Sequence, residues 1–124
     1  MQNKWFACLW GALGFLVISG PAFASGDAEL GKAVFTKKCK VCHATEAGKH
    51  KNGPSLAGII GRKAGSTDFA GYLGLKGSAV VWDAENMDAF LANPKKFVGA
   101  KTMVVKLKKE DDRNNVIEYL KTLK

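Results

Sequence analysis

The pattern of apolar and polar positions divides the chain into an apolar head and a mixed, lysine-rich body. Trp5 to Ile18 is an unbroken run of apolar and small residues, stopped by Gly20-Pro21 and followed by Ala22-Phe23-Ala24. Lys4 is the single charge in the first 24 residues. A basic start, an apolar run of about 7 to 15 residues and an A-x-A site form the pattern of a secretory leader. The run falls short of the roughly 20 residues that span a bilayer. Residues 1–24 are therefore read as a signal peptide and 25–124 as one domain, with an uncleaved membrane anchor as the alternative.

Three stretches of the body carry the rhythm of amphipathic helices. Asp27 to Cys39 places Leu30, Val34 and Phe35 on one face and Lys32, Lys37 and Lys38 elsewhere. Ser25 or Gly26 is expected to cap it, with Asp27 and Glu29 in its first turn. Gly31 inside this helix should cost about 1 kcal/mol against Ala, which a close approach by another helix would justify. Asp83 to Leu91 is a second helix, with Met87, Phe90 and Leu91 on one face and Asn93-Pro94 as its end. Glu110 to Leu123 is a third, with an acidic first turn and a stripe of Val116, Ile117, Leu120 and Leu123. Gly48 to Gly77 is glycine-rich and reads as loop, with short helical turns around Ser55–Ile60 and Tyr72–Lys76 and no regular strand. A loop this long in a compact domain wraps something or does something. Phe97 to Lys109 reads as irregular and basic. The expected architecture is a few helices around long Gly-rich loops.

The full chain has 124 residues and a formal net charge of +8. Cleavage after Ala24 would remove Lys4 and Cys8, leaving 100 residues with a net charge of +7 and two cysteines, Cys39 and Cys42. That length is marginal for an aliphatic core alone, and small domains often add a metal or cofactor as a staple. The positive surplus points to acidic partners, or to nothing more than a solvated lysine face.

Both remaining cysteines lie in Cys39-Lys40-Val41-Cys42-His43. C-x-x-C-H is the attachment signature of c-type haem. Two thiols three positions apart can each add to a vinyl group of one porphyrin, and the adjacent imidazole is then aimed at the iron. A thioredoxin-like pair would sit in a βαβ pattern, which is not visible here. A zinc site needs four ligands; Cys39, Cys42, His43 and His50 would supply them, but Cys42 and His43 are adjacent and the loop to His50 is short. A disulfide across Cys39 and Cys42, oxidised after export, would leave His43 unexplained. One covalent haem c is the expectation.

GKAVFTKKCKVCH, GKHKNGPSLAGIIGRKAG, a Trp, FLANPKKF, a Met and VIEYLK follow in an order that closely resembles class I cytochrome c, in its bacterial periplasmic (cytochrome c2-like) and mitochondrial forms. The resemblance covers about Gly31 to Lys121. It implies an all-α fold of three main helices plus short ones around one covalently bound haem. It also implies thioethers from Cys39 and Cys42, His43 as one axial ligand, and the Pro54 carbonyl on the His43 ring N–H. Gly31 and Phe35 would meet Val116, Tyr119 and Leu120, and Trp82 would donate its indole N–H near a haem propionate. Tyr72 is the candidate for a second propionate contact, although Phe69 could take that place without a hydroxyl. Met103, 60 residues beyond His43, falls where the family keeps its axial Met, whereas Met87 suits a helix core. Against the family pattern the Met103 loop lacks a Pro and a following Gly, so the Met–iron bond is expected to be easily displaced, with Lys101 as the incoming ligand at raised pH. His50 is read as a loop-holding residue.

His/Met ligation raises the potential of a c-type haem and leaves no open position for substrate, so the expected function is that of a soluble periplasmic one-electron carrier and not an enzyme. A haem enzyme or gas-binding protein with a labile distal ligand is the alternative. Lys38, Lys49, Lys51, Lys95, Lys96, Lys101 and Lys108 fall in segments that, by the resemblance, surround the haem edge. They would steer the monomer to acidic docking surfaces of membrane redox complexes, such as a quinol–cytochrome c reductase and a terminal oxidase or reaction centre. Nucleic acid is not an expected partner.

Overall fold

A computed structural model describes residues 25–124; the leader reading, Cys8 and the cleavage site lie outside the described residues. Four helices follow in order: α1 (Ala28–Lys38), α2 (Ala84–Ala92), α3 (Pro94–Val98) and α4 (Glu110–Lys121). Among the described residues there is no strand, only an isolated antiparallel bridge between Lys63 and Val81. No helix among them is long and apolar enough to cross a membrane.

The local chemistry of α1 differs from expectation by one position. Asp27 is its N-cap, not a first-turn residue, and its carboxylate accepts the Glu29 and Leu30 N–H groups. Its own N–H donates to Asn115 Oδ1 at 2.7 Å, so the start of α1 is tied directly to α4. α1 and α4 then cross at Gly31. A Cβ there would collide with the Asn115 carbonyl and lie 3.0 Å from Tyr119 Cβ, which accounts for a glycine inside a helix. Phe35 packs against Tyr119 with ring centroids 5.2 Å apart. Val116, Ile117 and Leu120 close the core from the α4 side. Truncating one such buried side chain to Ala costs about 2–5 kcal/mol.

α3 was not expected, because Asn93-Pro94 reads as a helix end. Asn93 is both the C-cap of α2 and the N-cap of α3, where its Oδ1 accepts the Lys96 N–H at 3.2 Å. Pro94 sits at the first helical position, where its fixed φ and missing N–H are no handicap. Phe97 and Val98 are therefore helical, and the irregular stretch begins at Gly99. Gly99 closes α3 in the left-handed region (φ 66°), donating its N–H to Lys95 O.

The Gly-rich region is a closed loop whose ends are laced together. Gly61 N–H donates to Trp82 O, Trp82 N–H to Arg62 O and Ala64 N–H to Val80 O, at 2.6–3.0 Å. The turns expected around Ser55–Ile60 and Tyr72–Lys76 are hydrogen-bonded turns and not helices. Trp82 lies at the base of this loop with its ring against Phe90 of α2 and Phe97 of α3.

Candidate haem site

The CKVCH segment continues the C-terminal end of α1 as a turn. Cys39 and Lys40 both donate backbone N–H groups to Phe35 O, and Cys42 and His43 donate theirs to Cys39 O. The chain beyond it doubles back alongside: Gly53 N–H meets Cys42 O at 2.8 Å and Leu56 N–H meets Ala44 O at 2.9 Å. That pairing brings the Pro54 carbonyl to His43, whose Nδ1 donates to it at 2.8 Å. The bond fixes the ring and leaves Nε2 as the free ring nitrogen. Gly53 lies close against the same ring. A Cβ there would collide with His43 Cε1 and lie 2.8 Å from Nδ1.

These residues line one large cavity that, with its open mouth, takes in about 1210 Å3. Every site residue read from the sequence is in its wall: Cys39, Cys42, His43, Pro54, Tyr72, Trp82 and Met103. The rest is mainly apolar, with Phe35, Leu56, Ile59, Leu75, Phe90 and Leu91 among the contributors. Both Met87 and Met103 reach it, but from different supports. Met87 is buried on α2, whereas Met103 comes from the irregular segment after α3. His50 is not part of the cavity wall. Its Nδ1 accepts the Ser55 N–H, so Nε2 carries the proton and donates to Asp68 Oδ1 at 2.7 Å. That bond, first among its influences, holds the exposed Asp68 carboxyl below its ordinary range.

Burial sets the electrostatics of the site. It lowers the pKa of His43, keeping the imidazole neutral with a lone pair to offer. It pushes the Cys39 thiol up to about 11, with Cys42 adding to the effect, so the thiol is protonated and inert until it is used. Neither cysteine is in a disulfide.

Arg62 was missed by the sequence reading. Its guanidinium enters the cavity wall, donating to Ala57 O at 2.6 Å and Ser55 O at 3.0 Å. Its Nε is buried without a partner. A half-buried guanidinium whose buried Nε–H has no partner is suited to an anion. Tyr72, whose hydroxyl is bonded to Thr67 Oγ1 at 2.6 Å, lines the same cavity. The one sequence signal was that Arg62 and Arg113 are the only arginines among the 19 basic residues.

The wall therefore fits haem. It offers two free thiols, an oriented neutral imidazole, two thioether side chains, an apolar surround, and an unsatisfied guanidinium suited to a propionate. Such a site, on an all-α fold, defines a c-type cytochrome. The family model for Cytochrome c matches residues 28–124. The chain is 41% identical over 101 residues to a cytochrome c of Euglena viridis, covering 80% of this chain and 99% of that protein. It is 43% identical over 98 residues to one of Theileria annulata (77% and 85%) and 42% over 101 residues to one of Ginkgo biloba (77% and 88%). The chain belongs to the cytochrome c family, and it is an electron carrier with one covalently attached haem c.

Proposed function

We propose that this chain is a soluble, exported one-electron carrier whose haem is held by Cys39 and Cys42 and closed axially by His43 and Met103. The convergence of these four side chains on a single apolar cavity carries the reading. With imidazole on one side and thioether on the other, no iron position is left for substrate, so the protein acts as a carrier and not as an enzyme. Exclusion of water and a thioether ligand both favour the reduced state. Tyr72, Trp82 and Arg62 hold the polar edge of the group, and Pro54 holds the His43 ring.

Electron exchange takes place at the cavity mouth, where Lys38 lines the wall; Lys95, Lys96 and Lys101 are exposed on α3 and the loop after it and are assigned to the same docking surface. Val41, between the two cysteines, and Val104, next to Met103, are 80% and 82% exposed. Exposed apolar side chains together with exposed lysines suit a brief, salt-sensitive encounter with an acidic docking surface. Lys51 belongs to the same set, although its Nζ is committed to Lys40 O at 2.8 Å. The leader pattern in residues 1–24 supports a periplasmic location. A quinol–cytochrome c reductase as donor and a terminal oxidase as acceptor fit such a monomeric carrier. Stopped-flow oxidation by a purified oxidase at two ionic strengths tests this. A rate constant that falls steeply with salt, and falls again in a Lys95→Glu, Lys96→Glu variant, is expected; salt-independent rates would refute the docking surface.

A second reading, an open-site haem protein, draws on one observation. The backbone from Ala100 to Lys106 neither donates nor accepts a backbone hydrogen bond among the described residues, so Met103 sits on a loosely held support. Carbon monoxide separates the two readings: ready binding to the reduced protein at neutral pH favours the open site, and no binding favours the closed carrier.

A further inference from the structure

The segment carrying Met103 hangs between two pins. At one end Gly99 N–H donates to Lys95 O, and at the other Leu107 N–H donates to Leu91 O of α2, each at 2.9 Å. The second pin is reinforced by Arg113 of α4. Its Nε donates to Asp88 Oδ1 on α2 at 2.6 Å, and one of its terminal nitrogens donates to Leu107 O at 3.0 Å and Lys108 O at 3.1 Å. One guanidinium thus ties α2, α4 and the end of the loop together. Its side chain is 13% exposed and that of Asp88 is 38% exposed. Neither residue lines the cavity.

We propose that the Asp88–Arg113 pair is a latch that sets how readily Met103 leaves the iron. The two are positioning residues for the distal ligand, acting through Leu107 and Lys108. A guanidinium is planar, and its donors leave it in fixed directions. Asp88 on Nε therefore dictates where the terminal N–H groups point, and one terminal nitrogen points at the two carbonyls that terminate the loop. With the carboxylate removed, the guanidinium is free to turn to water and the pin is reduced to the Leu107–Leu91 bond. The neighbouring charges are Glu85 on α2, Lys108 and Lys109 on the loop, and Glu110, Asp111 and Asp112 at the start of α4. None of their side chains is bonded to Arg113, so none substitutes for Asp88. An alternative role, helix packing alone, would alter global stability without singling out Met103.

The inference rests on Met103 being the iron ligand, and the test separates the two. In the ferric holoprotein the Met–iron charge-transfer band is followed as pH is raised, in wild type, Asp88→Asn, Arg113→Lys and, as a control for general destabilisation, Tyr119→Ala at the α1–α4 contact, a residue outside the cavity wall. Losing one charge-assisted bond at the pin should raise the loop-opening constant about tenfold. That lowers the pH at which the band disappears by about one unit in Asp88→Asn and Arg113→Lys. Leu107 amide exchange should quicken by a similar factor, and Tyr119→Ala should leave the transition in place. Latch variants that titrate like wild type, or a control that shifts as far as they do, would overturn the proposal. If wild type itself shows no Met–iron band at neutral pH, the ligand reading is the one that fails. Leu107 exchange then decides the latch: faster in both variants upholds it, unchanged overturns it.

Discussion

Replacing Gly53 with Ala tests how tightly the His43 ring is held. The added Cβ would overlap His43 Cε1 and lie 2.8 Å from Nδ1 and 2.9 Å from Nε2. Carbon contacts are comfortable only at about 3.5–4.0 Å, so the ring or the backbone must retreat by roughly an ångström. Neither has room. Gly53 is bonded on both sides, its N–H to Cys42 O and its carbonyl to Lys51 N–H, at 2.8 and 3.0 Å. The ring is bonded to Pro54 O. Overpacking of this kind costs about 1–3 kcal/mol, and loss of the Nδ1 bond adds about 1 kcal/mol. A total near 3 kcal/mol, at about 4–8 °C per kcal/mol for a domain of this size, lowers Tm by about 12–24 °C. Thermal unfolding of the ferric holoprotein, followed in the visible region, measures it. A Tm within about 2 °C of wild type would refute the claim that Gly53 is there to let the imidazole in.

Arg62→Met should destabilise the protein by about 1–3 kcal/mol, because the Ser55 and Ala57 carbonyls lose their buried donor, and should lower the midpoint potential. The first effect without the second would mean that the free Nε does not face a propionate. Gly99→Ala places a side chain at φ 66° and should cost about 1–2 kcal/mol. An unchanged Tm would show that the end of α3 relaxes out of the left-handed region. Asp68→Asn addresses the one exposed carboxylate held low by a partner. Its folded pKa lies below the ordinary value of 3.8, so the bond to His50 contributes stability above that value and loses it as pH falls through the folded pKa. Denaturant midpoints of wild type and variant should differ near pH 6 and converge in acid; a constant difference would mean the His50–Asp68 contact is not electrostatic.

The chemistry of this protein was more legible in its sequence than its scaffolding. Cys39, Cys42, His43, Pro54, Tyr72, Trp82 and Met103 all belong to one cavity wall, and all but Tyr72, whose surroundings do not align cleanly with the family, are marked by a motif or by their place in a familiar order. The core helices were legible because Val116, Ile117 and Leu120, or Met87, Phe90 and Leu91, repeat at helical spacing. What escaped were features without a periodic signature. Asn93-Pro94 ends one helix and begins another, and the punctuation looks the same for either. The Asp27 N–H ties the start of α1 to the Asn115 side chain in the middle of α4, 88 positions away in sequence. The lacing of Arg62 to Trp82 and Ala64 to Val80 uses backbone groups only, so side-chain identity does not report it. Arg62 looked like one more positive charge until its bonds to the Ser55 and Ala57 carbonyls placed it in the cavity wall.

The claim that one haem is closed by His43 on one side and by Met103 on the other is tested most directly by substituting Met103 with Ala. Spectra of the ferric protein and the midpoint potential are then measured beside wild type. A charge-transfer band present in wild type and absent in the variant, with a markedly lower potential, is the expected result. A variant with an unaltered spectrum and potential would place the sixth ligand elsewhere, with Met87 the first candidate on the same cavity wall.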